Sequence, residues 1–482
     1  MIRRFPFLLP ALLFLTAAPA TAEDLRVWLI GGGNNLGNSQ GQIEENVRWL
    51  EDIFANRGIE TRTYYTHGEG ADGSDDVIYF ALPDERDPVL EPILRVFGEG
   101  LQYAQKTRTN SLQNIVGSTE KSQLTASLAE DFSRVGPDDS VLLVYNGHGD
   151  IDTSNTLNNN LLLWNNTSLN IGELNDLLGH ITPEADVRFV LTQCFSGSFA
   201  SLVYESPEST TLASQKRCGF LAESDRREAE GCDLGTNQAE FRDYTTFFFA
   251  ALNQKTRLGE EIPAEEIDLD GSGEISFREA HLYTLRNAHS SDLSRSTSEV
   301  FMEQWEPWYL RWNSFGPRNP DNDYRQARDA VAERHQLPAR GLNRLRAERR
   351  LLAEEAVQVE QTRALRREVQ ATREALREQL QESLPNMPEV TMEHLASLPD
   401  NELEHLSQVI QSSELYPELL EIQAAAEHAN EQLLMAARDR TQAEKVFRLS
   451  RLSRLETTFT RYAGADTRRD LDIIASCEAG TL

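Results

Sequence analysis

Hydrophobic positions fall into two regimes along the 482-residue chain. Up to about residue 315 they gather in short runs with β-branched and aromatic residues: Leu25 to Ile30, Thr61 to Tyr65, Val141 to Tyr145, Val187 to Leu191 and Arg217 to Ala222. Between these runs lie stretches with apolar residues at helical spacing, such as Gln40 to Asn56, Glu120 to Ser133 and Glu240 to Leu252. Apolar runs alternating with amphipathic segments predict an α/β fold, a mostly parallel sheet with helices on both faces. From about Asn322 the pattern changes. No glycine occurs between Leu342 and Ala463, and Leu, Glu, Arg, Ala and Gln dominate. Leu342, Leu345 and Leu352, then Leu365, Val369, Leu376 and Leu380, form a heptad-like seam whose phase breaks in between. Pro385, Pro388, Pro399 and Pro417 divide the region into a long first helix, a short middle piece and a last run from about Glu418 to Tyr462. The expected tail is an α-helical, coiled-coil-like domain over residues 322–475 that folds back antiparallel and docks on or beside the first domain.

Two of the apolar runs end in chemically competent side chains. Val141 to Tyr145 continues as Asn146-Gly-His148-Gly149, and Val187 to Leu191 as Thr192-Gln-Cys194-Phe-Ser-Gly-Ser198. Parallel strands gather ligands beyond their carboxyl ends, so an imidazole and a thiol reach the same sheet edge. That is a nucleophile with its acid/base partner. Gly147 and Gly149 allow a sharp turn and a close backbone approach, and the N–H groups of Gly149 and Cys194 are candidate oxyanion donors. Asn146 sits near the histidine in sequence, but no third catalytic member can be assigned.

The two segments, with His148 and Cys194 46 residues apart, resemble the caspase–legumain superfamily of cysteine endopeptidases. Tyr145-Asn-Gly-His-Gly149 and Gln193-Cys-Phe-Ser-Gly197 are most similar to its bacterial and legumain-like branches. The resemblance spans roughly residues 25–315. It implies a caspase-like sheet and peptide-bond hydrolysis through a Cys194–His148 dyad and a thioester, with a protein or peptide substrate. It also implies a pocket for the residue before the scissile bond, built by the Gly31-Gly-Gly33 loop and by residues 222–230. Glu223 or Asp225 there would suit a basic residue, as in family members that cut after Arg or Lys. The second reading is an inactive caspase-like binding protein acting through its helical tail.

Asp268-Leu-Asp-Gly-Ser-Gly-Glu-Ile-Ser-Phe-Arg-Glu279 matches a twelve-residue EF-hand loop. Asp268, Asp270 and Ser272 take positions 1, 3 and 5, and Gly273 makes the turn at 6. Glu274 offers its carbonyl at 7, Ser276 sits at 9, and Glu279 supplies the bidentate carboxylate at 12. Pro263 shortens the entering helix, and no second loop pairs with this one. A structural Ca²⁺ is expected rather than a sensor.

Composition narrows the setting. The net charge of −30 argues against nucleic-acid or anionic-membrane partners. Arg3 and Arg4, the apolar Phe5 to Ala18 and Ala20-Thr-Ala22 predict a signal peptide over residues 1–22. No later run is apolar enough to span a bilayer, so an exported protein, periplasmic or secreted, is expected. With Cys194 free as nucleophile, Cys218 and Cys232 are the expected disulfide, and Cys477 a lone thiol near a mobile terminus.

Overall fold

The computed structural model describes residues 24–68, 73–155, 157–309, 320–383 and 392–482, so the signal-peptide segment lies outside the described residues. Twelve strands occur among them: β1 (Asp24–Gly32), β2 (Thr61–Tyr65), β3 (Val77–Phe80), β4 (Gln105–Arg108), β5 (Ile115–Gly117), β6 (Asp139–Gly147), β7 (Gly149–Asp150), β8 (Asn160–Leu163), β9 (Thr167–Asn170), β10 (Asp186–Leu191), β11 (Lys216–Leu221) and β12 (Arg295–Ser296). Seven form one sheet in the order β12-β11-β10-β6-β1-β2-β5. Every pairing in it is parallel except β11 with β12. The fold is thus α/β, with a seven-stranded, mostly parallel sheet and a long helical C-terminal region.

Both faces of the sheet are covered, which is why its strands read as apolar runs rather than alternating ones. Val27 and Leu29 of β1, with Leu142 and Val144 of β6, join one core. It is shared with the helices Gly41–Asn56, Tyr244–Asn253 and Phe277–Asn287. Trp28 and Ile30, with Val141, Leu143 and Tyr145, face the opposite core under Lys121–Phe132 and Ile171–Leu178. All nine residues of β6 are buried. The chain runs from β1 outward to β2 and β5, then returns to β6 on the other side of β1. That reversal makes the carboxyl ends of β1 and β6 the switch point of the sheet, where such folds bind their ligands.

Long helices follow at Gly341–Ser383 and Leu415–Tyr462, with Asp400–Ser412 between them and Ala465–Glu478 last. Arg366 bonds to Asn430 and Thr362 to Ala429, while Arg440 pairs with Glu355 and Ser413 with Gln379. Rising numbers on one helix meet falling numbers on the other, so the pair is antiparallel. Only half of the expected seam is used. Leu376 and Leu380 are buried, but Leu342 and Leu352 are 71% and 56% exposed. The reason lies on the partner helix. Val446, Leu449, Leu452 and Phe459 turn instead toward Leu282, Leu285 and Tyr324.

The cysteine pairing departs from expectation. Cys218 is bonded to Cys477, and Cys194 and Cys232 are free. Register explains why Cys218–Cys232 does not form. Cys218 lies level with Arg188 and Leu142, whereas the Cys232 thiol lies 3.9 Å from the Gly147 carbonyl, five residues farther along β6. Five strand residues span about 16 Å, and bridged cysteines need Cα atoms within about 7 Å. The terminus is held in place rather than mobile. Buried Glu478 accepts bonds from Thr297 and Ser298, and the Phe277 amide donates to Gly480.

Candidate active site

β6 and β10 end side by side, and each turn delivers its predicted side chain to the same edge. A Cβ on Gly149 would fall 2.2 Å from the Cys194 carbonyl oxygen, so only glycine lets the two turns touch. This contact seats the Gly149 turn, one residue beyond His148, against the backbone of Cys194. Phe195 follows with φ 58°, a left-handed conformation uncommon for a bulky residue, and starts the 3-10 helix Ser196–Val203. Gln193 is 1% exposed, and neither atom of its amide has a hydrogen-bond partner. Unpaired buried amides are uncommon, and such strain collects at functional sites.

His148 is oriented by the loop after β1. Its Nε2 lies 2.9 Å from the Asn38 carbonyl oxygen and 2.7 Å from Gln40 Oε1. A carbonyl can only accept, so Nε2 carries the proton and Nδ1 of the neutral ring is left as the base. Burial pushes the imidazole pKa down, and the Asn38 bond only partly offsets it. Asn38 and Gln40 supply the orienting group that sequence reasoning missed. The signal was the polar Asn34 to Gln40 stretch directly after the glycine turn. Asn146 is a structural residue instead, accepting from Thr192 and Thr245 in the buried layer.

Residues 222–232 form a strap over the thiol. The Ala229 amide donates to Cys194 Sγ at 3.3 Å, and the thiol faces the Ala229 carbonyl at 3.9 Å. The Phe195 amide donates to the Arg227 carbonyl at 2.9 Å. Burial pushes the Cys194 thiol up to about 11, with the Ala229 bond opposing and Glu228 and Asp292 reinforcing. The strap causes the rise by removing water from the thiol. A cleft of about 530 Å³ lies on the far side of the strap, lined by Ala229, Cys232 and Arg438, but Cys194 does not line it.

The strap is clamped by charge. Arg438 grips Glu230, and Arg227 reaches Glu444 at 2.5 Å, both from the helix Leu415–Tyr462. Of the two carboxylates expected to receive a basic side chain, Glu223 is fully buried and accepts the Ser224 and Leu293 amides. Its Oε2 still lies 3.6 Å from Arg227 Nε. Asp225 faces outward beside Arg226.

Three of the five predicted calcium ligands converge. Asp268, Asp270 and Glu279 each place a carboxylate oxygen within 4.8 Å of the others. Ser272 Oγ lies 3.1 Å from the Glu274 carbonyl oxygen. Gly271 and Gly273 have φ of 73° and 85°, as the tight wrap of this loop requires. Amides of Gly271, Ser272 and Gly273 point at Asp268, so the loop is shaped around its carboxylates. Ser276 caps the following helix.

No family model matches the sequence, and no curated protein matches it. Among solved structures, the chain is similar to protein GSU0716 from Geobacter sulfurreducens, at 13% identity and a TM-score of 0.33. The alignment covers 56% of this chain and 92% of that one. Among the described residues, no helix is long and apolar enough to cross a membrane.

Proposed function

We propose that the chain is an exported cysteine endopeptidase of the caspase–legumain type, held latent by its own strap. The observation that carries this reading is the Gly149–Cys194 contact, with the His148 Nε2–H committed to Asn38. In the open form, Cys194 Sγ passes its proton to His148 Nδ1 and attacks the peptide carbonyl. The Gly149 and Cys194 N–H groups take the oxyanion, each worth about 3 kcal/mol. His148 then protonates the leaving amine, giving a thioester. Water attacks that thioester, losing its proton to Nδ1, and the acid and the thiol are released.

The strap suggests the substrate class. The Arg227 guanidinium, beside the Cys194 turn, is drawn by Glu223, Glu444 and Asp292. A substrate with Arg or Lys before the scissile bond would replace the Arg227 guanidinium against Glu444 and Asp292 once the strap moves. The disulfide between Cys218 and Cys477 fits an oxidising, exported setting. Asp268, Asp270, Ser272, Glu274 and Glu279 would hold a Ca²⁺ that braces the loop before the helix Phe277–Asn287.

The test is hydrolysis of Arg- and Asp-containing peptides by the full mature chain after limited proteolysis to open the strap. Cleavage after Arg, abolished in Cys194→Ala and in His148→Ala, is expected. Failure of an opened wild-type chain to cleave any peptide or label with a thiol-directed peptide electrophile would favour the inactive binding protein.

A further inference from the structure

We propose that His289, His335 and Asp439 form a site for a divalent transition metal of the Zn²⁺ class, joining three separate elements. His289 lies in the loop after the helix Phe277–Asn287, His335 ends the helix Asp323–Arg334, and Asp439 belongs to Leu415–Tyr462. Each offers a ligand atom, and the three atoms lie within 4.8 Å of one another. His289 Nε2 is 2.9 Å from Asp439 Oδ1, and the two imidazole centroids are 4.9 Å apart. Two ligands on one tetrahedral ion at about 2.0 Å sit roughly 3.3 Å from each other. The His–Asp pair is near that spacing already, and a modest rotation of His335 closes the triangle. Among the described residues, no hydrogen bond holds either ring nitrogen of His335.

The donor set chooses the ion. Two imidazoles and a carboxylate suit Zn²⁺ and its neighbours, whereas Ca²⁺ and Mg²⁺ want oxygen alone. The surroundings argue the same way. Lys445, bonded to the Ala288 carbonyl, and Arg334, bonded to the Arg286 carbonyl, both lie close by. One carboxylate beside two fixed cations is a poor purely electrostatic site, so the imidazole bonds must carry the affinity. All three ligands are partly solvent-exposed, leaving room for water in the fourth position.

The site would act as a pin. The residues after His289, namely Ser290 to Asp292, bond to the strap and to the long helix: Ser291 receives Arg227 and Thr441, and Asp292 receives the Glu230 amide. Asp439 is next to Arg438, which grips Glu230. A metal bound here would fix the helix to the loop that seats the strap. That consequence rests on the latent-peptidase reading; metal binding itself does not.

The experiment uses the full mature chain carrying Cys194→Ala and Cys232→Ser, to remove thiol ligands, with Ca²⁺ at millimolar level to occupy the EF-hand-like loop. Chelator-stripped protein is titrated with Zn²⁺ by calorimetry and with Co²⁺ by visible absorption. One ion per chain is expected, with Co²⁺ d–d bands of a nitrogen–oxygen site and a melting temperature raised by several degrees. Binding should weaken at least tenfold in His335→Ala and in Asp439→Asn, each of which should melt like the metal-free parent. No uptake at 0.1 mM metal, or uptake unchanged in both variants, would overturn the site. Uptake intact in those variants but lost in His148→Ala would place the ion at the catalytic edge and overturn it equally.

Discussion

Arg438 holds Glu230 by two parallel bonds, Nε to Oε1 at 3.0 Å and Nη2 to Oε2 at 2.8 Å. Burial raises the Glu230 carboxyl, but Arg438 and the Ser291 bonds outweigh it and keep it below the usual range. Glu230 is the residue after Ala229, whose amide sits on the Cys194 thiol. The clamp and the cover are therefore one segment of chain. Both side chains are less than one-sixth exposed, so cutting the pair leaves an uncompensated charge and costs about 3 kcal/mol. Part of that cost falls on the closed form alone. Arg438→Ala should raise peptide-cleavage activity by about tenfold or more while lowering the melting temperature. Activity equal to wild type, measured on an Arg-containing fluorogenic peptide, would show that the strap does not gate the site.

The strands were legible because β6 and β10 are buried on both faces of the sheet. What escaped was set by distance along the chain. Asn38 and Gln40 meet His148 across about 110 residues, and the polar stretch that carries them does not show which strand-end turn it will face. Cys477 meets Cys218 across 259 residues, while the nearer Cys232 looked the better partner only because register is invisible in composition. Residues 222–230, a polar, two-signed stretch, read as one wall of the substrate pocket rather than as a cover over the thiol. Its covering role depends on Arg438 and Glu444, which lie in a helix more than 200 residues away. The helical region was recognisable from its missing glycines. Which face it would bury was not, since Leu342 and Leu449 look alike in sequence and only Leu449 meets the first domain.

The Cys218–Cys477 bond closes a very long loop and ties the last helix to β11. Loop-closure entropy for that span amounts to about 5 kcal/mol, with measured effects usually smaller. Cys477→Ser should lower stability by about 3 kcal/mol and loosen the seat of Glu478. Alkylating the denatured, unreduced wild-type chain should label two cysteines, Cys194 and Cys232. Labelling of Cys477 by peptide mapping would contradict the pairing.

Calcium should stabilise the first domain through Asp268, Asp270 and Glu279. With a Kd of about 10⁻⁴ M, 1 mM ion adds about 1.4 kcal/mol. For a domain of this size that raises the melting temperature by about 2–4 °C. Asp268→Ala and Glu279→Gln should remove the increment; Asp268→Ala also gives up the bonds from the Gly271, Ser272 and Gly273 amides and lowers the melting temperature in chelator as well. Glu279 also receives the Leu269 and Ser276 amides, so Glu279→Gln is gentler there than alanine. An absent calorimetric signal at millimolar Ca²⁺ would reduce the loop to an acidic turn.

The pH dependence of thiol reactivity tests the closed site most directly. Burial lifts the Cys194 thiol to about 11, so at pH 8 only about one chain in a thousand carries the thiolate that reacts. Protonation removes the nucleophile. Alkylation by iodoacetamide should therefore be slow near neutrality and climb about tenfold per pH unit until the midpoint. Cys232 is also pushed well above its usual value by burial, and a Cys232→Ser background removes its contribution altogether. Opening the strap with Arg438→Ala readmits water and frees His148 Nδ1 to share the proton. The midpoint should then move several units toward acid, in step with the gain in peptidase activity. A wild-type midpoint below pH 8, or an Arg438→Ala curve that superimposes on wild type, would mean that Ala229 does not cover the thiol in solution.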